Sequence, residues 1–130
     1  MKYYASEATF SRALVKELRK KGCFVQRIES HETGRGIPDI YSVTMRGVPM
    51  WLELKRIKRK IAHSNIITWR PGQQAWLWEV NRRYKQRAYT VVAFDDCYAI
   101  IDNSKLYKDN IVKKSEMELY GRLGDMVGGI

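Results

Sequence analysis

A chain of 130 residues, 45 % hydrophobic and 29 % charged, is long enough to bury one independent core and too apolar to be a disordered polyelectrolyte. Its 24 Lys and Arg against 14 Asp and Glu leave a net charge of +10, which points to a polyanionic partner, nucleic acid before a membrane or an acidic protein. Cys23 and Cys97 are isolated, which excludes a disulfide scaffold or a cysteine zinc site and fits a reducing cytoplasm. No apolar run follows Met1 or approaches the roughly 18 residues of a membrane span, so neither export nor membrane insertion is expected. There is no internal repeat, and 1–130 reads as one domain with a glycine-rich tail, 121–130, expected to be loosely ordered.

In chain order, Ser6 is suited to cap a helix in which Phe10, Ala13, Leu14 and Leu18 form one face and Gly22 is the stop. Glu7 stands three residues before Phe10 and seven before Leu14, on that same inward stripe. It is either a carboxylate that needs an inward partner, and so a candidate ligand, or an exposed glutamate favoured by the helix dipole. A strand is predicted over 23–29. The segment 30–36, with His31 and Arg35, reads as a flexible approach to a site on the next two strands, with Arg35 in reach of a phosphate. Pro38 has no ladder donor and suits a strand start, so the next strand opens at Asp39 and runs to Met45. Arg46 to Pro49 supply turn chemistry. Then Met50, Leu52 and Leu54 point one way while Trp51, Glu53 and Lys55 point the other.

The densest positive run, Arg56-Ile57-Lys58-Arg59-Lys60, is either a solvated surface or the entrance that a nucleic-acid backbone crosses. Residues 61–68 lack periodicity and are expected to form a loop over the site. Pro71 suits the first turn of a helix whose stripe is Gln73, Trp76 or Leu77, Val80 and Tyr84; Gln74 competes with Gln73 but leaves that stripe. Arg82, Arg83, Lys85 and Arg87 occupy the outer face, a second nucleic-acid surface or a solvated one. Strands follow over 89–94 and 98–101, and Asp95, Asp96 and Asp102 read as turn residues before they read as a metal cluster. Ser115 with Glu118 has the form of a capping box for a last helix holding Met117, Leu119 and Leu123. The apolar side of that helix, with Met126, either closes the core or joins a second subunit. The order helix, three strands, helix, two strands describes an α/β domain with a mixed central sheet flanked by helices.

Chemistry gathers on the two strands around Gly47. With a hairpin centred on that glycine, Asp39 faces Lys55 and lies diagonal to Glu53, so two carboxylates and an ammonium converge within about 7 Å. Carboxylates that close repel, a divalent metal is their natural occupant, and Lys55 then faces a bound phosphate.

Pro38-Asp39 followed by Glu53-Leu54-Lys55 resembles the core motif of the PD-(D/E)xK nuclease superfamily. Gly36 ahead of the pair, and Trp69-Arg70-Pro71-Gly72-Gln73 with Trp76 behind, are similar to motifs of its VRR-NUC branch, in the small stand-alone form of phages and bacteria. The resemblance spans roughly 7–101. It implies a restriction-endonuclease-like fold and a Mg²⁺- or Mn²⁺-dependent endonuclease that hydrolyses DNA phosphodiester bonds in repair or recombination. In that reading Asp39, Glu53 and the Leu54 carbonyl hold the metal, Glu7 assists, Lys55 stabilises charge on the phosphate, and Gln73 orients Lys55 or the water. Arg35, Arg56, Lys58, Arg59 and Lys60 contact DNA. A four-way junction cut by a homodimer is the expected substrate and assembly, set against flaps, plain duplex, a non-catalytic binding module, or a basic scaffold in which Asp39, Glu53 and Lys55 are an ordinary ion pair.

Overall fold

The computed structural model describes residues 4–28 and 36–130; Arg35 and His31 lie outside them. Helix α1 (Glu7–Lys20) starts where the sequence places it. The Thr9 N–H donates to Ser6 Oγ at 3.2 Å and the Ser6 N–H to Thr9 Oγ1 at 3.1 Å, a reciprocal cap in which Thr9 takes the usual glutamate's place. The helix ends at Lys21, before Gly22 at φ 93°.

Strands β1 (Phe24–Arg27), β2 (Ile40–Val43), β3 (Pro49–Arg56), β5 (Arg87–Ala93), β6 (Tyr98–Asp102) and β8 (Glu118–Tyr120) form one sheet in the order β1-β2-β3-β5-β6-β8. Among the described residues only the central pair β3 and β5 is parallel, joined by a crossover through β4 (Ser64–Ile66) and α2 (Gln73–Tyr84). Strand β4 pairs with β7 (Ile111–Lys113) in a separate antiparallel ribbon, and α3 (Leu123–Gly129) closes the chain. The α/β class with a mixed sheet is as expected.

One sheet face is apolar: Ile40, Met50, Leu52, Leu54 and Val91 pack against Phe10, Leu14 and Leu18 of α1 and against Met126 and Val127 of α3. The other face carries a second apolar cluster around Ile67, Trp69, Val92, Phe94 and Ile101, covered from the ribbon side by Val112. Beside that cluster, on the same face, stand Glu53, Lys55 and Thr90, all buried.

Several expectations are corrected. The hairpin is centred on Arg46 and not on Gly47, since Ile40 pairs with Leu52 and Val43 with Pro49. The Gly47 N–H bonds Thr44 O at 2.9 Å and Gly47 adopts φ 79°, so the connection is a three-residue loop ending in a left-handed glycine, which moves the register by two. The parity survives, and Asp39 falls level with Glu53 in place of Lys55. Residues 64–66, expected as loop, form β4 because Asn65 and Ile66 find Val112 and Ile111 as partners far along the chain. Helix α2 begins two residues after Pro71: Gly72 caps it at φ 87°, a conformation that no helix interior accepts. Tyr84 leaves the stripe and is exposed, while Gln73 and Leu77 are the buried pair.

The predicted last helix is instead a short 3-10 turn (Lys114–Glu116) followed by β8, because Glu118 to Tyr120 extend the sheet against β6. Within the glycine-rich tail, α3 buries Met126 and Val127, and Ile130 after it is buried as well. Of the residues offered for a dimer contact, Met117, Leu123 and Met126 serve the chain's own core, and Leu119 alone is left at 38 % exposure. No helix among the described residues is long and apolar enough to cross a membrane.

Candidate active site

Three elements meet at the site: the start of α1 brings Glu7, the segment entering β2 brings Asp39, and β3 brings Glu53 and Lys55. Carboxylate oxygens of Glu7, Asp39 and Glu53 lie within 4.8 Å of one another, among the described residues a group able to hold a metal ion. Asp39 is fixed by its neighbours, since the Leu54 N–H donates to Asp39 Oδ2 at 2.9 Å while Asp39 O accepts the Ile28 N–H at 2.8 Å. Gly36, at φ 75°, makes room for this approach: a Cβ there would stand 2.7 Å from the Gly72 backbone. The entry to β2 is thereby packed on the start of α2.

Glu53 is 2 % exposed and Lys55 is 7 % exposed, so their ends are withdrawn from water. The Lys55 ammonium donates to Thr68 O at 2.8 Å and Gln73 Oε1 at 3.1 Å and stands 3.2 Å from Glu53 Oε2, which uses its three N–H groups. Gln73, fully buried, spans the pair: its Nε2 donates to Glu53 Oε2 at 2.9 Å and its Oε1 also accepts the Arg70 N–H at 2.8 Å. Both ends of that amide are oriented by these bonds. Gln74 faces elsewhere, its side chain tied to Tyr107 and Asn110, so Gln73 is the glutamine at the site.

Glu53 Oε1 is buried without a hydrogen-bond partner. Burial, reinforced by the Asp39 charge and only partly opposed by Lys55, pushes the Glu53 carboxyl up to about 8. Glu7 is exposed as a residue, yet the surroundings of its carboxyl also raise it above the ordinary value, chiefly through lost solvation and against the pull of Lys55. A donor set of three carboxylates, one with an orphaned buried oxygen, fits a hard divalent cation.

The other expected residues separate into two groups. Lys58, Arg59 and Lys60 are exposed beyond the end of β3. The Arg56 side chain is 2 % exposed and is spent inside the protein: Nε donates to Tyr4 O at 2.7 Å, and the two terminal nitrogens to Ile57 O, Ala93 O and Asp95 Oδ1. Arg56, expected at a nucleic-acid contact, thus has internal partners that fasten the segment before α1 to the β5–β6 turn. Asp95, Asp96 and Asp102 accept bonds from Arg56, the Ile61 N–H and the Ser104 N–H, as turn residues do. His63 is exposed.

Beside the carboxylates lies a cavity of about 340 Å³ lined by Glu7, Asp39 and Leu54 and also by Ser11, Arg12 and Arg27. The last three were not singled out in the sequence. Ser11 lies one helical turn after Glu7, and Arg27 two residues after buried Val25 on β1, so both periodicities carried the signal.

No family model and no curated protein matches the chain. Solved structures do. One is a 1.6 Å structure of Hjc from Archaeoglobus fulgidus, a Holliday junction resolvase from an archaeal hyperthermophile, which matches with a TM-score of 0.62 at 19 % identity over 82 % of this chain and 86 % of that one. The fold is restriction-endonuclease-like. At that identity the likeness establishes the architecture shared with Hjc, and the chemistry is argued from the residues.

Proposed function

We propose that this protein is a metal-dependent endonuclease that hydrolyses DNA phosphodiester bonds, belongs to the VRR-NUC branch of the PD-(D/E)xK superfamily, and acts on branched DNA. The observation that carries the reading is the carboxylate triad beside a buried lysine, with Glu53 Oε1 left unpartnered. An ordinary ion pair at a protein surface needs neither burial nor a third carboxylate. A binding module that only holds nucleic acid gains nothing from a desolvated glutamate.

Asp39 and Glu53 would hold Mg²⁺ or Mn²⁺ with the Leu54 carbonyl, and Glu7 would complete the set directly or through water. When bound, the ion supplies Lewis-acid activation of water and neutralises phosphate charge. The rest is done by the chain. Lys55 delivers an ammonium to the oxygen on which charge develops, and its 3.2 Å contact with Glu53, the longest of its three, is the one a phosphate oxygen replaces. Gln73 keeps Lys55 and Glu53 in register by bonding both. Lys58, Arg59 and Lys60, with Arg35, neutralise the flanking backbone.

Hjc is a Holliday junction resolvase, and a four-way junction offers two equivalent strands to a two-fold dimer; both support junction DNA as substrate and a homodimer as the working form. The test is cleavage of labelled four-way junctions, flaps, nicked and plain duplexes with Mg²⁺ and Mn²⁺, alongside light scattering. Paired symmetric incisions in the junction by a particle of twice 15.3 kDa are expected. Preference for flaps or duplex by a monomer would overturn the junction reading and keep the nuclease. Metal-independent binding with no cleavage of any substrate would overturn both.

A further inference from the structure

Residues Thr68, Trp69 and Arg70, between β4 and α2, form a strap whose backbone is hydrogen-bonded to two side chains of the site. Thr68 O accepts from the Lys55 ammonium and the Arg70 N–H donates to Gln73 Oε1, so two backbone groups of this strap set where the amine and the amide stand. Between them is Trp69, whose side chain is buried in the second core. There it stacks on Tyr107 with ring centroids 5.8 Å apart and 20° between the planes. Its Nε1–H donates to Thr90 Oγ1 at 3.0 Å.

Thr90 lies on β5 directly beside Glu53 of β3 in the parallel register and is fully buried. Indole N–H is a donor only, so the Thr90 oxygen accepts that bond and its own proton goes on to Asn103 Oδ1 at 2.9 Å. Asn103 is fully buried, its main-chain N–H is bonded to Ala88 O, and its Nδ2 has no partner. This directed chain, indole to hydroxyl to amide, starts from Trp69 in the cluster of Val92, Phe94 and Ile101 and leaves the buried Asn103 Nδ2 unpaired, which costs stability. A core that keeps such a chain at a cost to stability, starting from the one side chain between the two groups that hold Lys55 and Gln73, is organised around position.

We propose that Trp69, Thr90 and Asn103 are positioning residues for the catalytic lysine, acting through the Thr68 carbonyl and the Arg70 N–H. The inference rests on the nuclease reading for its effect on turnover and on geometry alone for its effect on Lys55. Thr90→Val keeps the volume and removes the hydroxyl, Thr90→Ser keeps the hydroxyl, and Trp69→Phe keeps the stacking surface and removes the N–H.

The experiment measures kcat and KM on the preferred DNA, DNA affinity in chelator, thermal unfolding, and the Lys55 ¹⁵Nζ resonance in each variant. Thr90→Val and Trp69→Phe are expected to lower kcat per folded molecule by about tenfold to a hundredfold, the range a displacement near 1 Å produces. KM and chelator affinity should stay within about twofold, the scatter of any change that leaves every phosphate-binding cation in place. The Lys55 resonance should move in both variants, and Thr90→Ser should restore rate and resonance together.

Wild-type kcat per folded molecule in Thr90→Val with an unmoved resonance would overturn the proposal, as would failure of Thr90→Ser to rescue. Absence of cleavage by the wild-type protein itself would refute the nuclease reading instead. The Lys55 resonance then decides the positioning role: movement in Thr90→Val and Trp69→Phe supports it, and none refutes it. Should Thr90→Val fail to fold, Trp69→Phe carries the same comparison.

Discussion

The two faces of the central sheet are built from the same strands under opposite rules. Toward α1 and α3, Met50, Leu52 and Leu54 of β3 are essentially fully buried among apolar neighbours. Toward α2 and the β4–β7 ribbon, Trp51, Glu53 and Lys55 of the same strand are half or wholly buried with polar ends inside. A buried carboxylate held near an aspartate is costly, and the apolar face offsets that cost. Alternation along one strand thus separates stability from chemistry: removing a side chain from one face should damage the fold, and from the other the reaction.

The largest expected effect comes from breaking the polar face. Glu53→Ala or Asp39→Ala should reduce cleavage by at least about a thousandfold, as loss of a metal site that activates water requires. DNA binding measured in chelator should persist, because the basic surface is untouched. A Glu53→Ala protein that cuts at the wild-type rate would refute the site. Breaking the apolar face gives the complementary result: Leu52→Ala should cost about 2–5 kcal/mol of stability in denaturant unfolding, with kcat per folded molecule unchanged.

The contrast between the faces was readable from strand alternation alone, which is why Glu53 and Lys55 fell on one side and Leu52 and Leu54 on the other. The parity tolerated a turn misplaced by one residue, because that shift moves cross-strand partners by two. Position along the partner strand did not survive, since Gly47's left-handed φ and not its place in the turn determines the loop. Periodicity also fails for very short strands: β4, β7 and β8 have three residues each and exist through partners distant in sequence. The strap was illegible for a related reason. Its working groups include a main-chain carbonyl and a main-chain N–H, which no residue type announces, and its anchor joins Trp69 to Thr90 and Asn103 across the fold.

A smaller effect sharpens the comparison through pH. With the Glu53 carboxyl raised from 4.5 to about 8, the folded protein keeps a proton that the unfolded chain has lost between those values. The unfolded state then binds fewer protons, so the contribution of this group to stability declines as pH rises from about 5 to about 8. Glu7 acts in the same direction. Glu53→Gln should remove much of that decline and unfold at a temperature equal to or above wild type at pH 8 without metal. A divalent cation competes with the same proton, so Mn²⁺ should raise the wild-type unfolding temperature more at pH 8.5 than at pH 6 and barely affect Glu53→Gln. An equal shift at both pH values in both proteins would place the metal elsewhere.

The smallest effect separates two kinds of cation within one run of sequence. The Arg56 side chain is buried and bonded to Tyr4, Ile57, Ala93 and Asp95, whereas Lys58, Arg59 and Lys60 are exposed. What holds that exposed run in place is its backbone: the Arg59 N–H bonds Ile57 O and the Asp95 N–H bonds Arg59 O, each at 2.9 Å. Replacing Lys58, Arg59 and Lys60 with alanine should therefore leave unfolding nearly unchanged. It should also flatten the dependence of log affinity on log salt by about 0.9 for each phosphate no longer neutralised, alike for all DNAs. Arg56→Ala should do the reverse, lowering the unfolding temperature by stranding Asp95 and the carbonyls it serves while keeping the salt slope. Should the triple variant keep the wild-type slope, the run is solvated surface and the backbone is met elsewhere. Should Arg56→Ala flatten it, the guanidinium leaves its internal partners to meet DNA, and the division between structural and binding cations along this strand is wrong.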